Sequence, residues 1–536
     1  MAPTWEEIIV SKRASLKAAI PAEYIIPSTI LPALETPGLD VSNFIAQSGW
    51  FSEPEIDILK SSATELLRHL ADGSLTSETV TKAFCKSAAA AQQLINPLSE
   101  IFFDKALETA KSLDEYLKST GKPKGPLHGL PISIKDNFNI KGKDSTQGFT
   151  SRVGQPAESN SPMIQLLLDA GAVLYVKTNV PPGMKRGETY NLLFGKTLNS
   201  KNNLWSAGGS SGGEGALIAF GGSCLGVGSD IGGSCRWPAA CGGLFTLRPS
   251  TQRWSISGNS SLTPGQDSIR AVPGPMARTM EDVILFSKVF AQRAPWKYDP
   301  DCVPLEWREI KPRTLKLAVA WDDGSARPTP PVKRALEGAV ASLKKAGHEI
   351  VDWKMTPEDW KELMEIGMGI FLADAGNWLK KPLANGEPMP ANLVFPLEGI
   401  PKTLFELHDL HVLRDQLRMK WFQKWKSIEG LDGILIPTSP YSICKYDGIK
   451  SNYTMIANVL DYAASSFPTG YYADKNIDKP YTDYTPISEA DKVLQEEYDP
   501  DFCHGAPVSF QIFGQRLEEE KVLMMTEVVS RCISGV

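Results

Sequence analysis

The chain runs to 536 residues, 42% of them hydrophobic and 22% charged, a balance that provides for a buried core and fits a globular enzyme. A formal charge of −6 argues against a nucleic-acid binder, and no apolar run approaches the ~18 residues of a membrane-spanning helix. Neither end carries a familiar targeting signal, and eight cysteines without paired spacing read as reduced thiols, so a cytoplasmic protein is expected.

Residues 1–120 read as a helical layer. One helix is predicted over 52–70, where Ser52-Glu53-Pro54-Glu55 places acids and a proline in the first turn. Ser77-Glu78-Thr79-Val80 opens a second, and 103–117 forms a third with Ala106, Ala110, Leu113 and Leu117 on one face. Residues 121–310 carry a mixed α/β core. Ile132 and Ile134 alternate with Ser133 and Lys135 after a Gly-Leu-Pro entry, which predicts a short strand with Lys135 at its end. A helix over 161–170 stopped by Gly171, a buried strand over 172–177, a buried helix over 213–221 and a strand over 225–228 follow, and 251–310 is rich in loops.

Residues 311–536 continue with strands at 316–321 and 349–353 around an amphipathic helix at 331–346. A mainly helical stretch at 355–430, a strand at 433–437, a polar, proline-rich excursion over 465–500 and a closing helix at 518–533 complete the chain. Strand–helix alternation predicts an α/β fold with a largely parallel sheet.

The densest signal is residues 206–236, SAGGSSGGEGALIAFGGSCLGVGSDIGGSCR. Two turns of glycine and serine bracket one apolar segment. Glycine lets backbone N–H groups approach a ligand, and serine offers a nucleophile once a base removes its proton. Histidine, the usual base, is scarce, and Lys135 is the upstream candidate.

In order and spacing, GLPISIKD (129–136), GGSSGGE (208–214) and GVGSDIGGSCRWPAA (226–240) resemble the amidase signature hydrolases. DGILIPT (432–438) and GAPVSFQ (505–511) extend the likeness, and it is strongest to fungal acetamidases and general amidases, running from WEE at 5–7 through WKYD at 296–299 and YYADKNIDK at 471–479. The resemblance implies one α/β/α domain, a central mixed, largely parallel twisted sheet covered by helices, with a helical insertion. It implies hydrolysis of a small carboxylic acid amide to acid and ammonia or amine, with no cofactor and no metal. Ser234 would be the nucleophile, Ser210 the bridging serine and Lys135 the base, with a cis peptide at Gly209–Ser210.

The chemistry also follows from the residues. An amide is a poor electrophile, so attack needs an activated alkoxide and donors for the oxyanion, and the N–H groups of Ile231, Gly232, Gly233 and Ser234 are placed for that. Gly209 and Met184 join this substrate-binding set, and Ser211, Asp230 and Arg236 are expected to brace it. A lysine is a base only when neutral, so its ordinary pKa of about 10.4 must fall by burial or a nearby cation.

Lys185 and Arg186 read either as a cationic rim favouring polar or acidic substrates or as solvated loop charges. The expected partner is a small amide, with no nucleic acid and no membrane span, and a homodimer is left open.

Three rival readings are weaker. Residues 208–213 match G-x-S-x-G, as in an α/β-hydrolase esterase, but His348, His408, His411 and His504 lie in no convincing glycine-rich loop. His408-Asp409-Leu410-His411 lacks a third metal ligand, and Cys235 has no histidine nearby to activate it. An amidotransferase-type subunit passing ammonia to a partner is the remaining alternative.

Overall fold

Apolar runs too short for helices pair into strands across most of the chain. The computed structural model describes residues 3–389, 399–445 and 453–534. Its strands are β1 (Leu98–Ile101), β2 (Pro131–Lys135), β3 (Val173–Thr178), β4 (Tyr190–Asn191), β5 (Gly195–Lys196), β6 (Leu225–Asp230) and β7 (Phe245–Arg248). Then come β8 (Val272–Ala277), β9 (Lys316–Val319), β10 (Glu349–Asp352), β11 (Gly433–Pro437), β12 (Ala464–Tyr472) and β13 (Pro507–Phe513). β4 and β5 form a hairpin, and the rest form one 11-stranded sheet ordered β1-β3-β2-β6-β8-β7-β12-β13-β11-β9-β10.

The sheet is mixed. β2 runs parallel to β3 and β6, and β9 runs parallel to β10 and β11. Helices Pro162–Asp169, Gly212–Phe220 and Pro330–Lys345 lie on the crossovers that such pairing requires. The remaining pairs of this sheet are antiparallel: β1 adds to the edge at β3, and β8, β7, β12 and β13 join the two parallel blocks. Every residue of β2, β3 and β6 is buried, as expected of strands covered on both faces.

The structure departs from the predicted elements in four places. The helix at 52–70 is two helices, Glu53–Lys60 and Ala63–Asp72, because each opens on its own capping box, Ser52 with Glu55 and Ser62 with Glu65. β1 lies inside the helical layer, as an edge strand antiparallel to β3. Residues 251–310 contain β8 and helix Met280–Gln292. The excursion at 465–500 begins as β12, in the middle of the sheet, despite Pro468. Pairing of β12 to β7 ends at Ser466, so Pro468, which has no N–H to give, faces only β13.

Candidate active site

Parallel register sets Ser133 beside Gly226 and Ile134 beside Val227, which brings the end of β2 against the end of β6. Lys135 therefore reaches Ser229. Its Nζ donates to Ser229 Oγ at 2.9 Å, to the Ser229 carbonyl at 3.1 Å and to Ser210 Oγ at 2.8 Å. These three bonds use all three ammonium donors. The side chain is 0% exposed, and burial lowers its pKa to about 8 against the opposing pull of Asp230, Glu214 and Asp136.

Ser210 arrives on the turn that opens helix Gly212–Phe220, after a cis Gly209–Ser210 peptide. Its neighbour Ser211 ties the two serine turns together. Ser211 N–H donates to the Ser234 carbonyl at 3.1 Å, and Ser211 Oγ donates to the Ser229 carbonyl at 3.3 Å.

Ser234 sits half-buried in the turn between β6 and helix Arg236–Gly242. A buried charge pair shapes that turn. Asp230 accepts N–H bonds from Gly233 at 2.8 Å and Cys235 at 3.2 Å, and both Nε and Nη2 of Arg236 at 3.1 Å. Arg236 also donates to the Thr454 carbonyl, Gln511 Oε1 and Asn458 Oδ1 at 2.8, 2.9 and 2.7 Å. Burial would raise the Asp230 carboxyl, but the Arg236 charge and these bonds hold it well below the usual carboxylate range. Gly233 has φ 113°, and a Cβ there would lie 2.1 Å from Thr454 Oγ1, so only glycine fits.

Ser210, Ser229, Ile231, Ser234, Met184 and Lys185 share the wall of a cavity of about 330 Å³. Residues 256–266 also line it, clamped to the segment after β2 by Ser260 N–H on the Asn137 carbonyl at 2.9 Å and Asn139 Nδ2 on the Gly258 carbonyl at 2.7 Å. Of the expected site residues, Ser210, Ser234, Ile231 and Met184 line the cavity, and Lys135, Ser211, Asp230 and Arg236 are buried and bonded to the two serine turns. Gly209 packs against the 186–188 backbone with no room for a side chain, since a Cβ on it would lie 2.7 Å from the Arg186 carbonyl. The Gly233 N–H points to Asp230, not to the cavity.

Arg186 is withdrawn from solvent and Lys185 only partly so. Arg186 is 7% exposed, and Lys185 lies on the cavity wall with its pKa lowered to about 8 by burial. Their loop turns inward because Gly183 N–H donates to the Gln147 carbonyl at 2.8 Å and Trp237 Nε1 to the Gly187 carbonyl at 3.1 Å.

The rival residues lie elsewhere. No histidine lines the cavity among the described residues. His411 Nε2 is 2.8 Å from Ser268 Oγ on the long helix Leu404–Lys426, and no metal-holding cluster occurs among the described residues. Cys235 is buried, which raises its thiol far above the usual range and disfavours a thiolate.

Sequence reasoning missed two buried neighbours. Ser229 holds the lysine from β6, and the only hint of it is a hydroxyl one residue before Asp230. Glu214 lies behind the lysine, and its hint is a lone acid in an otherwise apolar helix.

Fold and sequence place the protein among enzymes that hydrolyse amides. The family model described as Amidase matches residues 79–523. The acetamidase of Emericella nidulans is 39% identical over 100% of both chains, and that of Aspergillus oryzae is 39% identical over 99% of both. A solved fatty acid amide hydrolase superposes with a TM-score of 0.94 at 34% identity, over 99% of this chain and 95% of its own. The chain belongs to the amidase family. Among the described residues, no helix is long and apolar enough to cross a membrane.

Proposed function

We propose that the protein cleaves the C–N bond of a small carboxylic acid amide through an acyl-enzyme on Ser234, with Ser210 as proton relay and Lys135 as base. The observation that carries this is the buried Lys135 Nζ–Ser210 Oγ bond of 2.8 Å, joined to a pKa brought down to about 8. A neutral Lys135 accepts the Ser210 proton while Ser210 accepts that of Ser234, and Ser234 Oγ bonds to the carbonyl carbon. The negative charge moves to the substrate oxygen, toward the N–H groups of Ile231, Gly232 and Ser234. Lys135 then returns its proton through Ser210 to the leaving nitrogen, the C–N bond breaks, and ammonia or amine departs. Water attacks the acyl ester by the same relay and releases the acid.

A cavity of about 330 Å³ suits a short acyl group, being near the lower end for small-molecule sites. The acetamidase relatives favour the same class of substrate.

The test is ammonia release from acetamide by the purified chain alone, without ATP. Ser234→Ala is expected to lose at least ~10⁴-fold in kcat and Ser210→Ala ~10²–10³-fold. A fluorophosphonate should label Ser234. Labelling of another residue, or turnover surviving in Ser234→Ala, sinks the assignment. Activity only with a partner chain and ATP favours the amidotransferase alternative.

A further inference from the structure

Helix Gly212–Phe220 is apolar apart from Glu214, and that carboxyl is fully buried. Such a group needs partners. Ser133 Oγ of β2 donates to Glu214 Oε2 at 2.6 Å, and Thr178 Oγ1 at the end of β3 donates to Oε1 at 2.9 Å. The third strand, β6, makes room: a Cβ on Gly226 would lie 2.0 Å from Oε2 and 2.6 Å from Ser133 Oγ. Three adjacent strands thus cradle one carboxyl.

The cradle is built onto the reactive pair. Glu214 follows Ser210 by four residues, and Ser133 precedes Lys135 by two on the same face of β2. Segment 210–214 therefore meets the strand at two rungs, Ser210 with Lys135 and Glu214 with Ser133. We propose that Glu214 is a positioning residue that fixes the second rung and, through its charge, sets the pH at which Lys135 releases its proton. This rests on Lys135 being the base.

The other groups around Lys135 are differently held. Asp230 is paired with Arg236, Asp136 Oδ2 accepts the Gln147 N–H at 2.6 Å, and burial keeps the Cys235 thiol protonated. Glu214 faces the hydroxyls of Ser133, Thr178 and, one step further, Ser223, together with the Lys135 charge; nearby Tyr175 gives its hydroxyl to the Gly222 carbonyl. Hydroxyl donors satisfy the carboxylate without neutralising it. Burial raises its pKa to about 7, into the same range as the lysine. The sign follows: an ionised Glu214 favours the ammonium, and removing its charge lets Lys135 become a free base at lower pH.

Glu214→Gln keeps the shape and one acceptor. On acetamide, the acid-side midpoint of kcat/KM against pH is expected to fall by about half a pH unit, the variant keeping more of its own plateau near pH 7–8, where the parent's Glu214 is ionised, and the two profiles converging at lower pH. A midpoint that stays put or rises in the folded variant overturns the proposal. Should Glu214→Gln not fold, Thr178→Val, which withdraws one hydroxyl from the carboxylate, must move the midpoint the same way; no movement is equally fatal. Failure of the base assignment reads differently, as turnover retained by Lys135→Ala.

Discussion

At the scale of residues, the enclosed lysines of this fold differ by what their ammonium groups meet. Lys177 is as buried as Lys135, and it donates to the Asp144 carbonyl and to Ser145 Oγ, fastening a loop. Lys135 meets two serine hydroxyls and one carbonyl, and what sets it apart is that one of those hydroxyls, Ser210 Oγ, belongs to a residue on the cavity wall. Burial then dominates, and half its protons leave near pH 8. Only the free amine can accept the Ser210 proton. Activity should therefore climb about tenfold per pH unit below 8 and level off above it. A kcat/KM profile flat from neutrality upward would contradict this.

At the scale of elements, the turn between β6 and helix Arg236–Gly242 is held from two directions. Asp230 binds its N–H groups, and Thr454 Oγ1 donates to the Gly232 carbonyl at 2.7 Å. Neither charge of the Asp230–Arg236 pair has water to fall back on. Arg236→Met would leave a lone buried carboxylate and is expected to cost about 3–5 kcal/mol. Adding Asp230→Asn should recover part of that loss in urea unfolding, a coupling that two independent sites would not display. Both variants should lose activity, because the N–H groups of Ile231, Gly232 and Ser234 would no longer be aimed.

At the scale of the whole molecule, the site is assembled from distant parts of one sheet, and its central charge is a burden on the fold. Below pH 8 the protein must hold an ammonium away from water. Its folded pKa of about 8 lies under the ordinary 10.5, so between those values the unfolded chain binds more protons and stability rises with pH. The full penalty, present below pH 8, is about 3 kcal/mol before the hydrogen bonds are counted. Lys135→Met should thus be inactive yet more stable at pH 7, by about 1–2 kcal/mol. The gap should close above the ordinary lysine pKa. A variant less stable than the parent at pH 7 would show that the three hydrogen bonds outweigh burial.

What could be read without coordinates was local. The glycine–serine turns around Ser210 and Ser234, the strand ending at Lys135 and the helix stop at Gly171 depend on backbone freedom within a few residues, and the chain displays that directly. What required the fold was everything set by a partner far along the chain. Lys135 and Ser210 are 75 positions apart, and Arg236 finds Asn458 across 222. Glu214 shows what holds it only where Ser133 and Thr178, far along the chain, close on it. Lys185 looked like a loop charge until its loop turned inward, and Pro468 argued against a strand that sheet pairing nonetheless accommodates. The sequence by itself determined which groups could do chemistry, because covalent neighbours dictate turns and strand ends. Only tertiary structure decided which of them lose water and meet, because desolvation and charge are properties of the packed whole.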